Sequence, residues 1–175
     1  MLTKIISGGQ TGADTGGLIA AKLHGLNTGG WMPKGFRTLV GPRPQYAKLF
    51  GIKEHEAYGY KERTWENIKD SDATIRVARN FDSAGERCTL NGIRYHGRPY
   101  FDIHVDEDEI IFESHVGKLA NWLEVGEYKT INIAGNSHST WSNARPYTTA
   151  FLSYVLMVLG YNRQLVLPKE FNIFL

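Results

Sequence analysis

At 175 residues the chain has the length of one globular domain, and 42% hydrophobic with 22% charged residues is the composition of an ordinary folded protein. Its 20 basic and 18 acidic residues are interspersed and give a formal charge of +2, without the basic stripe of a nucleic-acid-binding protein. The single cysteine, Cys88, excludes an intrachain disulfide and a multi-cysteine metal site. We therefore expect one domain over residues 1–175 that does not bind nucleic acid.

The start of the chain predicts no targeting segment. Met1 to Lys4 lead directly into an apolar run that is too short for the hydrophobic region of a signal peptide. The longest apolar run, AFLSYVLMVLG from Ala150, is shorter than the roughly 20 residues that span a membrane. With one cysteine, this pattern favours a cytoplasmic protein without a membrane partner.

Apolar runs of strand length alternate along the chain with segments of helical periodicity. The predicted strands are TKIISGG at 3–9, ATIRVA at 73–78, PYFDIHV at 99–105, KTINIAG at 129–135 and RQLVLP at 163–168. The predicted helices cover 14–24, 63–69, 87–96, 110–124 and 146–159, with Pro146 in the first turn of the last one. This alternation predicts an α/β fold, a parallel sheet with helices on both faces.

The segment from Asn27 to Tyr60 differs from the rest of the chain, because it is rich in Gly and Pro and shows little periodicity. An irregular segment of this length inside a compact domain is usually functional. Its Trp31 offers an aromatic face beside Lys34 and Arg37, which together could stack a base and neutralise phosphates. A solvated loop with one buried tryptophan is the alternative.

The first predicted strand runs into the loop SGGQTGAD, which precedes a helix. Glycines here would let backbone N–H groups approach a phosphate at the positive end of that helix. The loop lacks the G-K-[ST] ending of a nucleoside triphosphatase and the G-x-G-x-x-G spacing of a dinucleotide site. A tight turn without a ligand is the alternative. If the first loop binds an anion, we expect a β-carbon at Gly9 or Gly12 to abolish binding before it abolishes folding.

Two further loops follow predicted strands. Ser83 and Gly85 can form a small-residue turn into a helix, although Ser83 or Asp82 could equally be an ordinary N-cap. Gly135, Asn136 and Ser137 place small polar groups after the strand at 129–135. Because ligands bind beyond the carboxyl ends of parallel strands, we expect all three loops to converge on one site.

Metal binding is not predicted. The six histidines are dispersed, and none forms the H-x₃-H or H-E-x-x-H spacing of a zinc site. The acidic residues of DIHVDEDE could hold a cation, but a charge run of this kind is usually solvated; they are Asp102, Asp106, Glu107 and Asp108. Asp70 and Asp72 flank a serine before a strand, where acidic residues cap turns more often than they catalyse.

The segments SGGQTGAD, GGWMPKG, RTWENIKDSDATI, CTLNGIRYHGRPYF and INIAGNS together resemble the family named "putative molybdenum carrier", the circularly permuted YpsA-like branch of the SLOG superfamily. The similarity covers about Thr3 to Gly160. It implies a Rossmann-like parallel sheet, frequent self-association and a ligand pocket at these loops. The positions that match the family's motifs are Gly8, Gly9, Gln10, Thr11, Gly12, Asp14, Lys34, Gly35, Asp70, Asp72, Gly135 and Asn136. The second loop departs from the family pattern, since Glu86 stands where relatives commonly have threonine.

From these residues and the resemblance we expect a protein that binds a nucleotide or nucleotide-derived ligand as a sensor or carrier, with phosphates on the first loop and the base near Trp31. One alternative is an enzyme resembling nucleoside-monophosphate phosphoribohydrolases, in which Glu86 would be catalytic and Arg79 or Arg87 its partner. A carrier of molybdenum cofactor is another. We also expect a homo-oligomer, to which the apolar helix near 146–159 contributes a face.

Overall fold

The computed structural model describes residues 1–105 and 112–162. A five-stranded parallel sheet lies at its centre, with the strand order β2-β1-β9-β7-β8. The strands are β1 Lys4–Ser7, β2 Asn27–Gly29, β3 Trp31–Met32, β4 Arg37–Thr38, β5 Gly41–Pro42, β6 Lys53–Glu54, β7 Ala73–Ala78, β8 Tyr100–His104 and β9 Thr130–Gly135. The four predicted strands that fall within the described residues are confirmed, whereas the strand predicted at 163–168 lies outside them.

Helices flank this sheet, and the predicted α/β class is confirmed. The helices are α1 Ala13–Leu23, α2 Gln45–Phe50, α3 Tyr60–Lys69, α4 Ala84–His96, α5 Phe112–Gly126 and α6 Ala144–Val158. The five predicted helices correspond to α1, α3, α4, α5 and α6, and Pro146 lies in the first turn of α6, where its missing N–H costs nothing. None of the helices within the described residues has both the length and the apolar composition to cross a membrane.

The two faces of the central strands differ in chemistry. Ile75 and Val77 of β7, with Ile131 and Ile133 of β9, pack into the main apolar core beside α1, α5 and α6. Neighbouring positions point to the opposite face, because side chains alternate along a strand. There the buried side chains include the polar Thr74, Arg76 and Asn132, and Asn132 donates a hydrogen bond from Nδ2 to Thr74 Oγ1 at 3.3 Å. The face toward α3 and α4 therefore carries the buried polar side chains of these strands.

The segment 27–60 contains more structure than its sequence predicts. It forms β2 to β6, the short helix α2 and a single 3-10 turn at Lys34–Phe36. Its buried side chains Met32, Tyr46, Phe50 and Ile52 pack against α1 in a second apolar cluster. Since these anchors are spaced irregularly, no helical or strand period reveals them. The hairpin β4–β5 belongs to this segment and lies beside the loop that follows β1.

The loops after β1 and β9 are clasped together. Ala13 donates its N–H to the carbonyl of Asn136 at 3.1 Å, and His138 donates to the carbonyl of Thr11 at 2.8 Å. Gly12 lies between them at φ 121°, a conformation that glycine adopts and other residues rarely do. A β-carbon at Gly12 would lie 2.3 Å from the Asn136 carbonyl oxygen. Gly12 thus permits the close approach of two backbone segments.

An exposed apolar strip runs along the outer side of α6. Tyr154, Met157 and Val158 are each more than half exposed. A strip of this kind suits self-association, which stays a prediction.

Gly12→Ala should lower the free energy of unfolding by roughly 3 kcal/mol or more, because it adds both positive-φ strain and a clash with backbone atoms that cannot rotate away. For a chain of this length the melting temperature would drop by roughly 6–12 °C. Thermal and urea unfolding measure the change. The matched control is Gly85→Ala, where an added β-carbon meets no atom within 4 Å and which should be nearly neutral. A Gly12→Ala protein as stable as the control would show that Gly12 is not needed for the close contact between the loops after β1 and β9.

Candidate functional site

A cavity of about 450 Å³ opens at the carboxyl ends of β1, β9 and β7. The three predicted loops meet there, and α3 forms the remaining wall. The lining residues are Gln10, Asp14, Leu39, Tyr60, Arg63, Thr64, Asn67, Ser83 to Glu86, Cys88, Thr89, Asn132 to Ser137, Ser139 and Thr140. The chain continues from β1 to β2 toward one edge of the sheet and from β7 to β8 toward the other edge. The cavity therefore lies where the strand order reverses, which is the usual ligand position in such sheets.

The structure brings together only part of the predicted site. Eight predicted residues line the cavity: Gln10, Asp14, Ser83, Gly85, Glu86, Gly135, Asn136 and Ser137. Gly8, Gly9, Thr11 and Gly12 belong to the same first loop but are not among the lining residues. Trp31, Lys34, Gly35 and Asp70 are not among the lining residues.

The amides of the first loop are directed at groups of the chain itself. Gln10 donates its N–H to Asp14 Oδ2 at 3.1 Å, Gly9 donates to Ser7 Oγ at 3.2 Å, and Thr11 donates to the Gln10 side-chain oxygen at 3.0 Å. The Asp14 carboxylate therefore occupies the position beside α1 in which we expected an external anion. Burial raises the pKa of Asp14, and the neighbouring Arg63 guanidinium opposes that rise.

Arg63 reaches the first loop from α3. Its Nη1 donates to Asp14 Oδ2 at 3.2 Å, and both side chains are largely buried. A β-carbon at Gly8 would lie 1.3 Å from that same nitrogen and 2.9 Å from Asp14 Oδ2. A side chain at Gly8 would therefore displace the Arg63 guanidinium from this ion pair.

The second loop forms the N-terminus of α4. Ser83 is the N-cap, and its Oγ accepts the N–H of Glu86 at 3.3 Å, as the N-cap alternative predicts. The amides of Ala84 and Gly85 have no acceptor within the helix, since they belong to its first turn, and both residues line the cavity. A β-carbon on Gly85 would meet open space. The fold thus makes no demand for a glycine here.

Glu86 lies at the inner wall of the cavity and is 2% exposed. Its Oε2 has no hydrogen-bond donor among the described residues and lies 3.7 Å from Arg76 Nη1. Arg76 donates from Nε to Asp102 Oδ1 at 2.8 Å and packs between the rings of Phe81 and Tyr100. Burial raises the pKa of Glu86 to about 7, against the opposing effect of Arg76. Near neutral pH this carboxyl can exchange a proton.

In the third loop, Asn136 connects to the loop after β7, and three neighbouring side chains form a cluster of hydroxyls. Asn136 Oδ1 accepts the amides of Arg79 and Asn80 at 3.0 Å each, and its Nδ2 donates to the Asn80 carbonyl at 2.9 Å. The hydroxyl of Ser137 lies 2.8 Å from that of Ser139 and 3.3 Å from that of Thr140. These three hydroxyls face the same cavity as the first turn of α4.

Trp31 and its neighbours lie elsewhere. The Trp31 indole donates from Nε1 to Asp70 Oδ2 at 2.8 Å, and both residues line a separate depression of about 210 Å³. Lys34 lies over the ring of Tyr58, and the Gly35 N–H donates to Glu54 Oε1. Lys34 and Gly35 thus make their contacts within the segment 27–60, and Trp31 joins this segment to Asp70 at the end of α3.

Several lining residues were not among the predicted site residues, and Leu39, Tyr60 and Arg63 are three of them. Arg76, the neighbour of Glu86, was not predicted either. Arg76 had a visible signal, because an arginine interrupts the otherwise buried run ATIRVA, and a buried charge requires a partner. Leu39 and Tyr60 carry no such signal, since their position depends on how the segment 27–60 folds back over β1.

Stability should depend on pH through Glu86. A carboxyl whose pKa is raised from 4.5 to about 7 favours the folded state when it is protonated, so its contribution is present at low pH and is lost as the pH rises through about 7. Between pH 4.5 and 8 this carboxyl alone should lower the free energy of unfolding by about 3 kcal/mol. Glu86→Gln should remove that fall, as measured by urea unfolding at several pH values.

The control for this titration is Glu124→Gln on the exposed side of α5, which should retain the wild-type fall. Asp14 contributes a fall of the same sign in all three proteins, because its pKa is also raised. If the Glu86→Gln protein loses as much stability as the wild type, the carboxyl is charged throughout and the assigned burial effect is wrong.

A protein of known structure shares this fold. A search of curated proteins gives no match. The structure of the "putative molybdenum carrier protein" from Syntrophus aciditrophicus SB is similar, with 30% sequence identity, a TM-score of 0.81 and coverage of 89% of this chain and 95% of that one. The family described as circularly permutated YpsA SLOG matches residues 5–156. The chain belongs to this circularly permuted YpsA SLOG family.

Proposed function

We propose that the protein binds a nucleotide or nucleotide-derived, phosphate-bearing ligand in the cavity at the ends of β1, β9 and β7, and acts as its sensor or carrier. The observation that carries the proposal is the opening of the α4 N-terminus into this cavity beside a cluster of hydroxyls. A cavity of about 450 Å³ is of the size that holds small organic ligands.

The phosphate is best accommodated by the second and third loops. The amides of Ala84 and Gly85 lie at the positive end of α4, and backbone N–H groups in that position favour an oxyanion. Hydroxyls of Ser137, Ser139 and Thr140 can donate further hydrogen bonds. The first loop is less suitable than we expected, since the Asp14 carboxylate already accepts the Gln10 amide and would repel a phosphate.

The comparisons support a ligand-binding or carrier role. The similar protein from Syntrophus aciditrophicus is named for carrying molybdenum, and the match covers 89% of this chain. The family match over residues 5–156 includes the positions of all three loops. A molybdenum cofactor is itself a phosphate-bearing ring compound, so it would use the same anion end of the cavity. Mass spectrometry of the ligand released by denaturing the purified protein distinguishes a pterin from a nucleotide.

Gly85→Glu should abolish binding and leave folding intact. The added side chain enters open space, and its charge at the first turn of α4 favours the helix while it repels a phosphate. A nucleotide at ~100 times its dissociation constant should add about 2.7 kcal/mol to the wild type, a rise of roughly 5–10 °C in melting temperature. Thermal unfolding with each of the four ribonucleoside monophosphates should show this rise in the wild type and none in Gly85→Glu.

The matched control is Gly117→Glu, the same substitution in α5, where the added side chain also meets open space and does not line the cavity. This variant should retain the full ligand-induced rise. Loss of the rise in both variants, or in neither, would refute the assignment of the phosphate to the α4 N-terminus.

A second candidate function is hydrolysis of a nucleoside monophosphate to free base and ribose 5-phosphate. The observation in its favour is the buried Arg76–Glu86 pair, which the sequence did not reveal; Arg79 instead lies over the Trp141 ring, and Arg87 donates to the Asp82 carbonyl. Water would add to the ribose C1′ as the bond to the base nitrogen breaks, and the base would leave with a proton. Glu86 would donate that proton or stabilise the positive charge that develops on the sugar.

Under this candidate the wild type should release free base from a nucleoside monophosphate, and Glu86→Gln should lose that activity while its affinity changes little. Chromatography of reaction mixtures containing each nucleoside monophosphate measures the release. Glu124→Gln serves as the control for a carboxyl outside the cavity. Steady release by the wild type would replace the carrier proposal; none would leave the carrier proposal in place.

A further inference from the structure

The wall of the cavity includes exposed apolar side chains that the proposed phosphate site does not use. Among the lining residues, Leu39 and Tyr60 are the large apolar side chains that remain well exposed, at 54% and 37%. They come from separate elements, the turn of the β4–β5 hairpin and the first residue of α3. Exposed apolar side chains that border a cavity commonly mark the surface that a ligand covers.

Leu39 is held in place by a residue of the site itself. Its N–H donates to Gln10 Oε1 at 3.0 Å, the same oxygen that accepts the N–H of Thr11. Gln10 is in turn bound through its own N–H to Asp14, the partner of Arg63. A chain of hydrogen bonds therefore fixes the tip of the hairpin relative to the inner wall of the cavity.

Tyr60 is also fixed from one side. The Arg63 guanidinium lies over its ring, 5.7 Å from the centroid. A cation over a tyrosine ring stabilises the orientation of that ring. The residue thus presents a preset aromatic surface rather than a freely rotating side chain.

We propose that Leu39 and Tyr60 form the ring-binding end of the cavity and select ligands that carry a flat, apolar or aromatic ring. This inference rests on the proposed nucleotide-binding function and moves the base away from Trp31, whose indole is bound to Asp70 beside a different depression. The base lies against Leu39 and Tyr60, while the phosphate lies at the first turn of α4. Stacking on an aromatic side chain contributes substantially for every base, so ring shape is selected more strongly than base identity.

The chain offers a matched pair for the test. Val40 follows Leu39 in the same turn and is exposed to nearly the same extent, 53%, but it does not line the cavity. Leu39→Ala and Val40→Ala each remove an exposed apolar side chain from the hairpin, and both should leave the melting temperature close to that of the wild type. Only the first should alter the ligand-binding surface.

The experiment is isothermal titration calorimetry of the wild type and both variants with AMP, GMP, CMP and UMP, and with ribose 5-phosphate, which lacks the ring. Leu39→Ala should weaken the tightest-binding nucleoside monophosphate about tenfold, because the buried apolar surface of the ring loses its partner. Its affinity for ribose 5-phosphate should not change. Val40→Ala should match the wild type for every probe, and Tyr60→Leu, which keeps an apolar side chain but removes the aromatic face, should weaken the nucleotides on the order of tenfold.

The outcomes separate this inference from the function on which it rests. If nucleotides bind the wild type and Leu39→Ala binds them equally well, the ring site is wrong and the proposed function stands. If Leu39→Ala weakens ribose 5-phosphate as much as the nucleotides, or Val40→Ala has the same effect, the hairpin acts through its conformation and the ring contact is refuted. If none of the four nucleotides binds the wild type, the proposed function and the ring site are both wrong.

Discussion

The candidate site depends on Asn136, which joins the loops of all three central strands. Its carbonyl holds the amide at the start of α1, and its side chain holds the amides that follow β7. A buried amide side chain that makes several hydrogen bonds to backbone is costly to disturb, because each lost bond leaves a polar group without a partner. Asn136 also lines the cavity, and its contact with a ligand stays a prediction. The hydrogen bonds of its side chain align the cavity walls.

The polar face of the sheet carries an uneven set of charges. Two guanidiniums, Arg63 and Arg76, lie among three carboxyls, Asp14, Glu86 and Asp102. Because Asp14 and Asp102 each accept a hydrogen bond from an arginine, the surplus falls on Glu86, whose Oε2 accepts none. Burying an unbalanced carboxylate is expensive, and a proton removes the cost. The raised pKa of Glu86 and its unpaired oxygen therefore have the same cause, a buried carboxyl without a full partner.

The sequence predicts the regular parts of this protein well and the site only in part. Strands such as ATIRVA and INIAG are continuous buried runs, and their order along the chain is sufficient to place three loops at one edge. The contacts of Trp31 and Lys34 could not be predicted in this way, because they depend on the fold of a segment whose anchors follow no period. Nor could local pattern show that Asp14 would take the place of an anion, since its partner Arg63 is 49 residues away.

The position of β9 has a consequence for how the protein acquires its site. This strand, formed by residues 130–135, lies between β1 and β7, so the centre of the sheet is completed by a strand that follows both of them in the chain. Pairing across more than 120 residues closes a long loop, which makes assembly of such a sheet slow relative to its helices. A nascent chain can form α1 and α4 early, yet the pocket between them has no floor until β9 inserts. A ligand present during synthesis would then bind only after β9 has inserted, and it would stabilise the folded chain at that last step.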